Sequence, residues 1–433
     1  MSATTIGLIG IFSVLGLIAF RVPIGIAMGV IGLLGTWAIA GLDTVRYAVG
    51  TAPFNSVFPY SLSVLPLFVM MGVFAAYSGM SRNLFLGANA LVGHLRGGLA
   101  VATIGACAVF GAICGSSLAT SAAMAKVALP EMRRLGYDPR LSSGAVAAGG
   151  TLGIMIPPSL ALALYGLLTQ TSIGALYLAG LVPGLLGMLL YMGAVSVTTW
   201  RDPSMGPPGP RQSWGQRFEA LKQTWDVICL FAIVLGGLFA GWFSPTEAAA
   251  VGVFGAVIIM AARGVMTRAS FKDSLWETAT TVGYVFLILA GAGIFAFFID
   301  LSTLPHMTVE LMQQLRIDLY LVLIIIILAY LVLGCLLDAL SMLLLTIPFV
   351  FPIIKHLGFD PVWFGILMVT VIEIGLIHPP FGMNLYVVQA AAPGIKQGTI
   401  VRGIIPFVLA DLVRVVLLIA FPALSLALIS SLR

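Results

Sequence analysis

The sequence predicts an all-α polytopic membrane protein made of two inverted repeats, each with five spans and a re-entrant hairpin. Three observations predict it: scarce charge, long apolar runs, and a motif that returns at a fixed distance. Of 433 residues, 60% are hydrophobic and 9% are charged, against about 25% charged in soluble domains. Such a chain cannot cover a water-facing surface, so lipid must take the place of water. The mean hydropathy of +1.10 agrees. The net charge of +5 comes from basic residues in short loops between apolar runs, the pattern that orients a membrane protein. No basic-aromatic surface suggests nucleic acid as a partner. The four cysteines, Cys107, Cys114, Cys229 and Cys335, stand singly in apolar stretches. They read as small buried residues rather than a disulfide framework or metal site.

The first apolar run, from Ile6 to Phe20, has no Lys or Arg before it, and Arg21 follows it. A signal peptide would need a positive leading region, so a retained first helix with its N-terminus outside is expected. Spans are expected at 5–20, 23–40, 60–77, 143–168, 176–199, 226–242, 247–262, 274–300, 363–389 and 404–428. Two further stretches, 98–130 and 319–354, are expected to enter and return. The first is broken at its centre by Gly111, Gly115, Ser116 and Ser117, and small polar residues at that depth fit a re-entrant turn. Residues 1–200 form the first repeat and 226–433 the second. Between them, 201–225 is a polar cytoplasmic linker that starts as a Pro-rich loop and offers a surface helix from 212. With the N-terminus outside, the inside loops hold Arg133, Arg134, Arg140, Arg263 and most other basic residues. The outside segments hold only Arg46, Arg316, Lys355 and terminal Arg433. That asymmetry predicts a bacterial inner membrane location with both termini periplasmic.

The repeat has an offset of 222 (357 − 135). Leu135-Gly136-Tyr137-Asp138-Pro139 returns as Leu357-Gly358-Phe359-Asp360-Pro361, Gly153 as Gly375, and Pro157-Pro158 as Pro379-Pro380. Eight of 29 positions from 130 to 158 are identical without a gap. Pro23 also falls on Pro245. Five spans per half is an odd number, so the second half must enter from the opposite side. Inverted repeats with broken helices point to a secondary transporter with its site near the midplane.

Three groups could carry the chemistry. The first tip, Gly115 to Ser121, offers hydroxyl oxygens to a cation and free N–H groups to an anion. The paired segments Gly150–Pro158 and 373–380 place two prolines after a glycine. They should break both helices and free carbonyls. The third group is the intramembrane charges Asp338 and Glu373, with His378 and Asn384 nearby; ionisable groups at that depth are functional candidates. Asp338 could ligate a cation beside Ser341, and both carboxylates could couple to an ion. Glu373 could equally be structural. His378 could touch an anionic substrate or be a satisfied polar group. No enzyme is expected. None of the five lysines follows a glycine, which excludes a Walker A loop, and there is no HExxH or GxSxG. A Ser/His hydrolase would leave the repeat unexplained.

With Gly115-Ser116-Ser117-Leu118-Ala119-Thr120, Leu129-Pro130-Glu131-Met132, Pro245-Thr246-Glu247-Ala248 and the paired segments above, the chain resembles the DctM-type large subunit of tripartite ATP-independent periplasmic (TRAP) transporters. The resemblance spans nearly the whole chain. It implies a Na+-coupled importer of organic anions, usually carboxylates, working by an elevator motion. It also implies a small four-helix membrane subunit, expected as a separate chain, and a periplasmic substrate-binding protein. No covalent cofactor is implied; Na+ ions are the coupling ligands. One Na+ site would use Ser116, Ser117, Thr151 and the backbone from Gly153 to Pro157. Its mate would use Asp338, Ser341 and the backbone from Gly375 to Pro379. Substrate would lie between the tips, near Ser116, Ser117, Thr120, His378 and Asn384. His378 departs from the family's pattern, where Thr is usual. The alternatives are a cation-coupled dicarboxylate carrier that needs no binding protein and, less compatible with two closed hairpins, a channel.

Overall fold

The computed structural model describes residues 2–314 and 318–431. Arg316 and Arg433, both counted among the outside charges, fall outside the described residues. Every regular element among the described residues is helical. Seven helices are long and apolar enough to cross a bilayer, and an eighth if Trp225–Phe239 is joined to the surface helix before it.

The expected spans are found, with three differences. The second helix runs Ile24–Val57 and continues past 40 through a kink at Gly41, whose φ of +82° suits glycine. Two short helices, Met80–Val92 and Leu304–Gln314, were not expected. They are polar on one side and too short for a span signal. The third is that 404–428 is divided between Gln397–Ala420 and Ala423–Ser431. The segments at 143–168 and 363–389 are each broken, as expected, into Pro139–Thr151 with Leu160–Thr169 and Pro361–Ile377 with Met383–Ala391.

The offset of 222 runs through the helix boundaries. Asp138 and Asp360 cap the helices that begin at Pro139 and Pro361. Acidic caps followed by Pro in the first turn are strong helix starts. Gly136 and Gly358, just before them, share a φ of +76°. The short helices Met80–Val92 and Leu304–Gln314 start 224 residues apart (304 − 80), close to that offset but not on it.

The first hairpin stretch is Gly98–Cys114 followed by Ser117–Arg134, and the second is Leu319–Gly334 followed by Ala339–His356. In each, both arms pack on the broken helix of the same half. The long helices Ile24–Val57 and Arg268–Leu301 pack along one another most extensively of all pairs. Ile173–Arg201 and Gln397–Ala420 close the halves and contact each other.

The linker carries a short helix, Trp214–Lys222, with a capping box between Ser213 and Gln216. It rests on Met80–Val92. Gly97 N–H donates to the Gly206 carbonyl at 2.8 Å, and Gly209 N–H to that of Gly93 at 2.9 Å. The linker is thereby strapped to the base of the first hairpin stretch. Nearby, Arg263 donates twice to Asp226, at 2.8 and 2.9 Å, and once to the Ser78 carbonyl. That fork ties three helix ends together.

Candidate functional site

Each hairpin stretch turns at a residue that caps its own second arm. Ser116 caps Ser117–Arg134, its hydroxyl accepting from Ala119 N–H at 3.4 Å. Asp338 caps Ala339–His356; its carboxylate accepts from the N–H groups of Leu340 and Ser341 at 3.2 and 3.3 Å and from the Ser341 hydroxyl. The two caps are one offset apart (338 − 116 = 222). Both arms are 18 residues long. Their N-termini face a common cavity of about 370 Å³, lined by Ser116, Ser117, Asp338 and Leu340 together with Ile154 and Leu376 from the two breaks. Pockets for small ligands span about 300–1,000 Å³, so this one suits a small molecule.

Thr281 and Tyr284 of Arg268–Leu301 also line it. They were missed from sequence, although two polar residues three apart in an apolar helix are a usable signal. The lining carries one carboxylate, Asp338, and no Lys or Arg. A larger cavity of about 600 Å³ lies elsewhere, between the base of Ser117–Arg134 and residues 391–395, and holds Arg133 and Arg134.

Ser117, Thr120 and Ser121 share one face of their helix. The Thr120 and Ser121 hydroxyls are buried without partners. Asn384 reaches this face from the other half, donating to the Ser117 hydroxyl at 2.7 Å and the Ala147 carbonyl at 3.1 Å. Its own Oδ1 has no partner. Three buried oxygens beside this tip, on Thr120, Ser121 and Asn384, are thus left without partners.

At each break the chain passes an arm of its hairpin stretch at backbone contact. A Cβ on Gly153 would lie 3.0 Å from Gly111 Cα, and one on Gly375 only 2.5 Å from Gly334 Cα. The Pro157–Pro158 and Pro379–Pro380 peptide bonds are cis. The carbonyls expected to be free are partly used. Ser159 donates to the Ile154 carbonyl and accepts from Leu162 N–H at 3.1 Å, and His378 N–H takes the Gly375 carbonyl at 3.2 Å.

Of the residues expected at the site, Ser116, Ser117 and Asp338 line the tip cavity; Thr120, Thr151, Gly153, Pro157, Ser341, Glu373, Gly375, His378, Pro379 and Asn384 do not. Thr151 points to Tyr191, hydroxyl to hydroxyl at 3.2 Å, and donates to the Ala148 carbonyl. Glu373 is fully buried and binds Arg414. His378 sits with Nδ1 3.5 Å from Cys335 Sγ. Asp411 and Arg414, which complete the Glu373 cluster, were also missed. Two charges three residues apart in an apolar helix would have revealed them.

The tripartite ATP-independent periplasmic transporter, DctM component, family matches residues 11–424. The C4-dicarboxylate TRAP transporter large permease protein DctM of Pseudomonas aeruginosa is 37% identical over 85% of this chain and 86% of its own length. The isethionate TRAP transporter permease protein DctMQ of Oleidesulfovibrio alaskensis is 35% identical over 79% of this chain and 54% of its own. Among solved structures, the YdaH transporter of Alcanivorax borkumensis superposes with a TM-score of 0.61 at 16% identity, over 89% of this chain and 90% of that one, a likeness of fold alone. The chain belongs to the DctM family of TRAP transporter large permeases.

Proposed function

We propose that this protein is the large transmembrane subunit of a Na+-coupled importer of a small organic anion in a bacterial inner membrane. The observation that carries this reading is the convergence of two helix N-termini, capped by Ser116 and Asp338, on one small cavity with no basic side chain. Helix N-termini attract anions through their free N–H groups and dipoles. Two such ends supply recognition without Lys or Arg, but they leave the substrate charge uncompensated beside Asp338. Bound cations would supply the balance. One would take the oxygens around Ser117, Thr120, Ser121 and Asn384; the other would take Asp338 and Ser341. The relatives named for C4-dicarboxylate and isethionate carry small anions, which agrees with the cavity's size.

In this reading the halves are inverted in the membrane, with both termini periplasmic. The hairpin stretches and broken helices travel as one body against the scaffold formed by Ile24–Val57 and Arg268–Leu301. A small membrane subunit and a periplasmic binding protein complete the system.

The test is the melting temperature of the purified membrane complex in Na+ against K+ at constant ionic strength. A ligand that binds only the folded state adds about 2.7 kcal/mol at 100 times its Kd. A saturable rise specific to Na+, with uptake that collapses when the Na+ gradient is removed, is the expected result. Uptake indifferent to Na+, with no Na+-specific shift, would overturn the coupling assignment.

A further inference from the structure

Away from the tip cavity, a buried polar chain joins the two broken helices. It runs from Thr151 to the Tyr191 hydroxyl at 3.2 Å, on to Asp411 Oδ2, then from Asp411 Oδ1 to Arg414 at 2.8 Å, and from Arg414 to Glu373 Oε2. Its ends are one offset apart (373 − 151 = 222). Four helices enclose it: Pro139–Thr151, Ile173–Arg201, Pro361–Ile377 and Gln397–Ala420. Apart from Asp226, which pairs with Arg263, Glu373, Asp411 and Arg414 are the buried charged residues among those described.

We propose that Glu373 is a proton-binding site, held as the neutral acid against the Arg414–Asp411 ion pair. The charge count demands a proton. Two carboxylates share one guanidinium, so full ionisation would bury a net negative charge in an apolar bundle. Two acids close together at one site do not both ionise there. The partners decide which acid carries the proton. Asp411 accepts from the Tyr191 hydroxyl on Oδ2, and its Oδ1 lies 2.8 Å from Arg414 as an ion pair without a hydrogen bond. Glu373 receives one, from Arg414, and its Oε1 has none. Opposite charge and hydrogen bonds both favour the charged form; Arg414 sits beside both acids and Asp411 alone has the Tyr191 hydroxyl as well, so Asp411 is the anion and Glu373 the acid. The titratable and charged groups facing Glu373 are then Arg414 and Asp411 from Gln397–Ala420 and Tyr191 from Ile173–Arg201; Pro139–Thr151 contributes only a neutral hydroxyl. The repeat makes the same point: where the second half holds Glu373, the first holds Thr151, another uncharged group that bears a proton. This inference does not rest on Na+ coupling.

The experiment is infrared spectroscopy of the full chain in lipid nanodiscs at neutral pH, with glutamate or aspartate isotopically labelled at the carboxyl carbon. Glu373 is the one buried glutamate among the described residues, and exposed glutamates are ionised at neutral pH. The expected result is a protonated-carboxyl C=O band that shifts with labelled glutamate, stays with labelled aspartate, and is lost in Glu373→Gln. A band that follows the aspartate label instead, or no such band at neutral pH, would overturn the assignment. Should Glu373→Gln fail to fold, the labelled wild-type protein decides alone.

Discussion

The two hairpin tips have the same backbone plan and different chemistry. At the first, Ser116 caps the arm and the surrounding oxygens are neutral: hydroxyls of Ser117, Thr120 and Ser121 and the amide of Asn384. At the second, the cap is the carboxyl of Asp338, and the break beside it carries His378 against Cys335. The same contrast recurs deeper in the bundle. Thr151 faces Glu373 across the repeat, and Met192 stands where the second half has Arg414. At the 222 offset the two halves thus share turns, caps and glycine contacts, and the second half holds the buried charges Glu373, Asp411 and Arg414. Backbone geometry and polar chemistry are separable here, and exchanging residues between halves tests how far.

The largest effect is expected where the halves differ most. Arg414→Met copies Met192 and leaves the Asp411 carboxylate buried without its cation. Breaking a buried pair in this way costs about 3–5 kcal/mol. Yield and melting temperature of the purified protein should fall sharply; a variant as stable as wild type would mean that water reaches the cluster.

Next come the shared glycines. Gly153→Ala and Gly375→Ala each push a Cβ onto the backbone of a neighbouring arm, and overpacking of this kind costs about 1–3 kcal/mol. Similar losses in thermal stability would sharpen the equivalence of the breaks. A loss at only one of them would break it.

Asp338→Ser copies the first tip and keeps a side-chain cap, so its stability cost should stay below about 1 kcal/mol. Uptake and any Na+-dependent rise in melting temperature should nevertheless drop. Wild-type Na+ response in that variant would remove Asp338 from the cation site.

The smallest effect is at the loops. Arg140 donates to Asp138 at 2.9 and 3.1 Å, and this partnership holds the carboxyl below its ordinary range, against a smaller opposing effect of burial. A carboxyl lowered in the folded state stabilises at neutral pH, and the contribution disappears as acid takes the pH down through its folded pKa. Asparagine is an equally good cap. Asp138→Asn should therefore lower stability by at most about 1 kcal/mol near neutrality, with the difference vanishing in strong acid. Asp360→Asn removes no such ion pair, because Val362 stands where Arg140 does, and its melting temperature near neutrality should match wild type. Thermal melts across pH check both.

Much of the fold was legible because its signals are local. Helix starts at Asp138-Pro139 and Asp360-Pro361, glycine and proline breaks, and apolar runs all act within a few residues of themselves. The amphipathic helix Met80–Val92 escaped because it has neither the length nor the apolarity of a span. At the candidate site, Ser116 and Asp338 stood out as polar residues at the centres of apolar stretches. Thr281 and Tyr284, polar residues three apart in an apolar helix, carried a local signal too, but nothing local says that their face of Arg268–Leu301 meets the tips.

The sequence by itself determined that the chain fills a membrane, that it is duplicated at one offset, and where each half turns and breaks. Composition and spacing suffice for that, because lipid leaves the backbone few options. Only the tertiary structure decided which polar groups meet. It turned Thr151 and Glu373 away from the tip cavity and into a chain with Tyr191, Asp411 and Arg414, and it brought Asn384 to Ser117 across 267 positions. Those partners are set by how helices distant in sequence pack, and burial then makes each polar group take whatever partner that packing supplies.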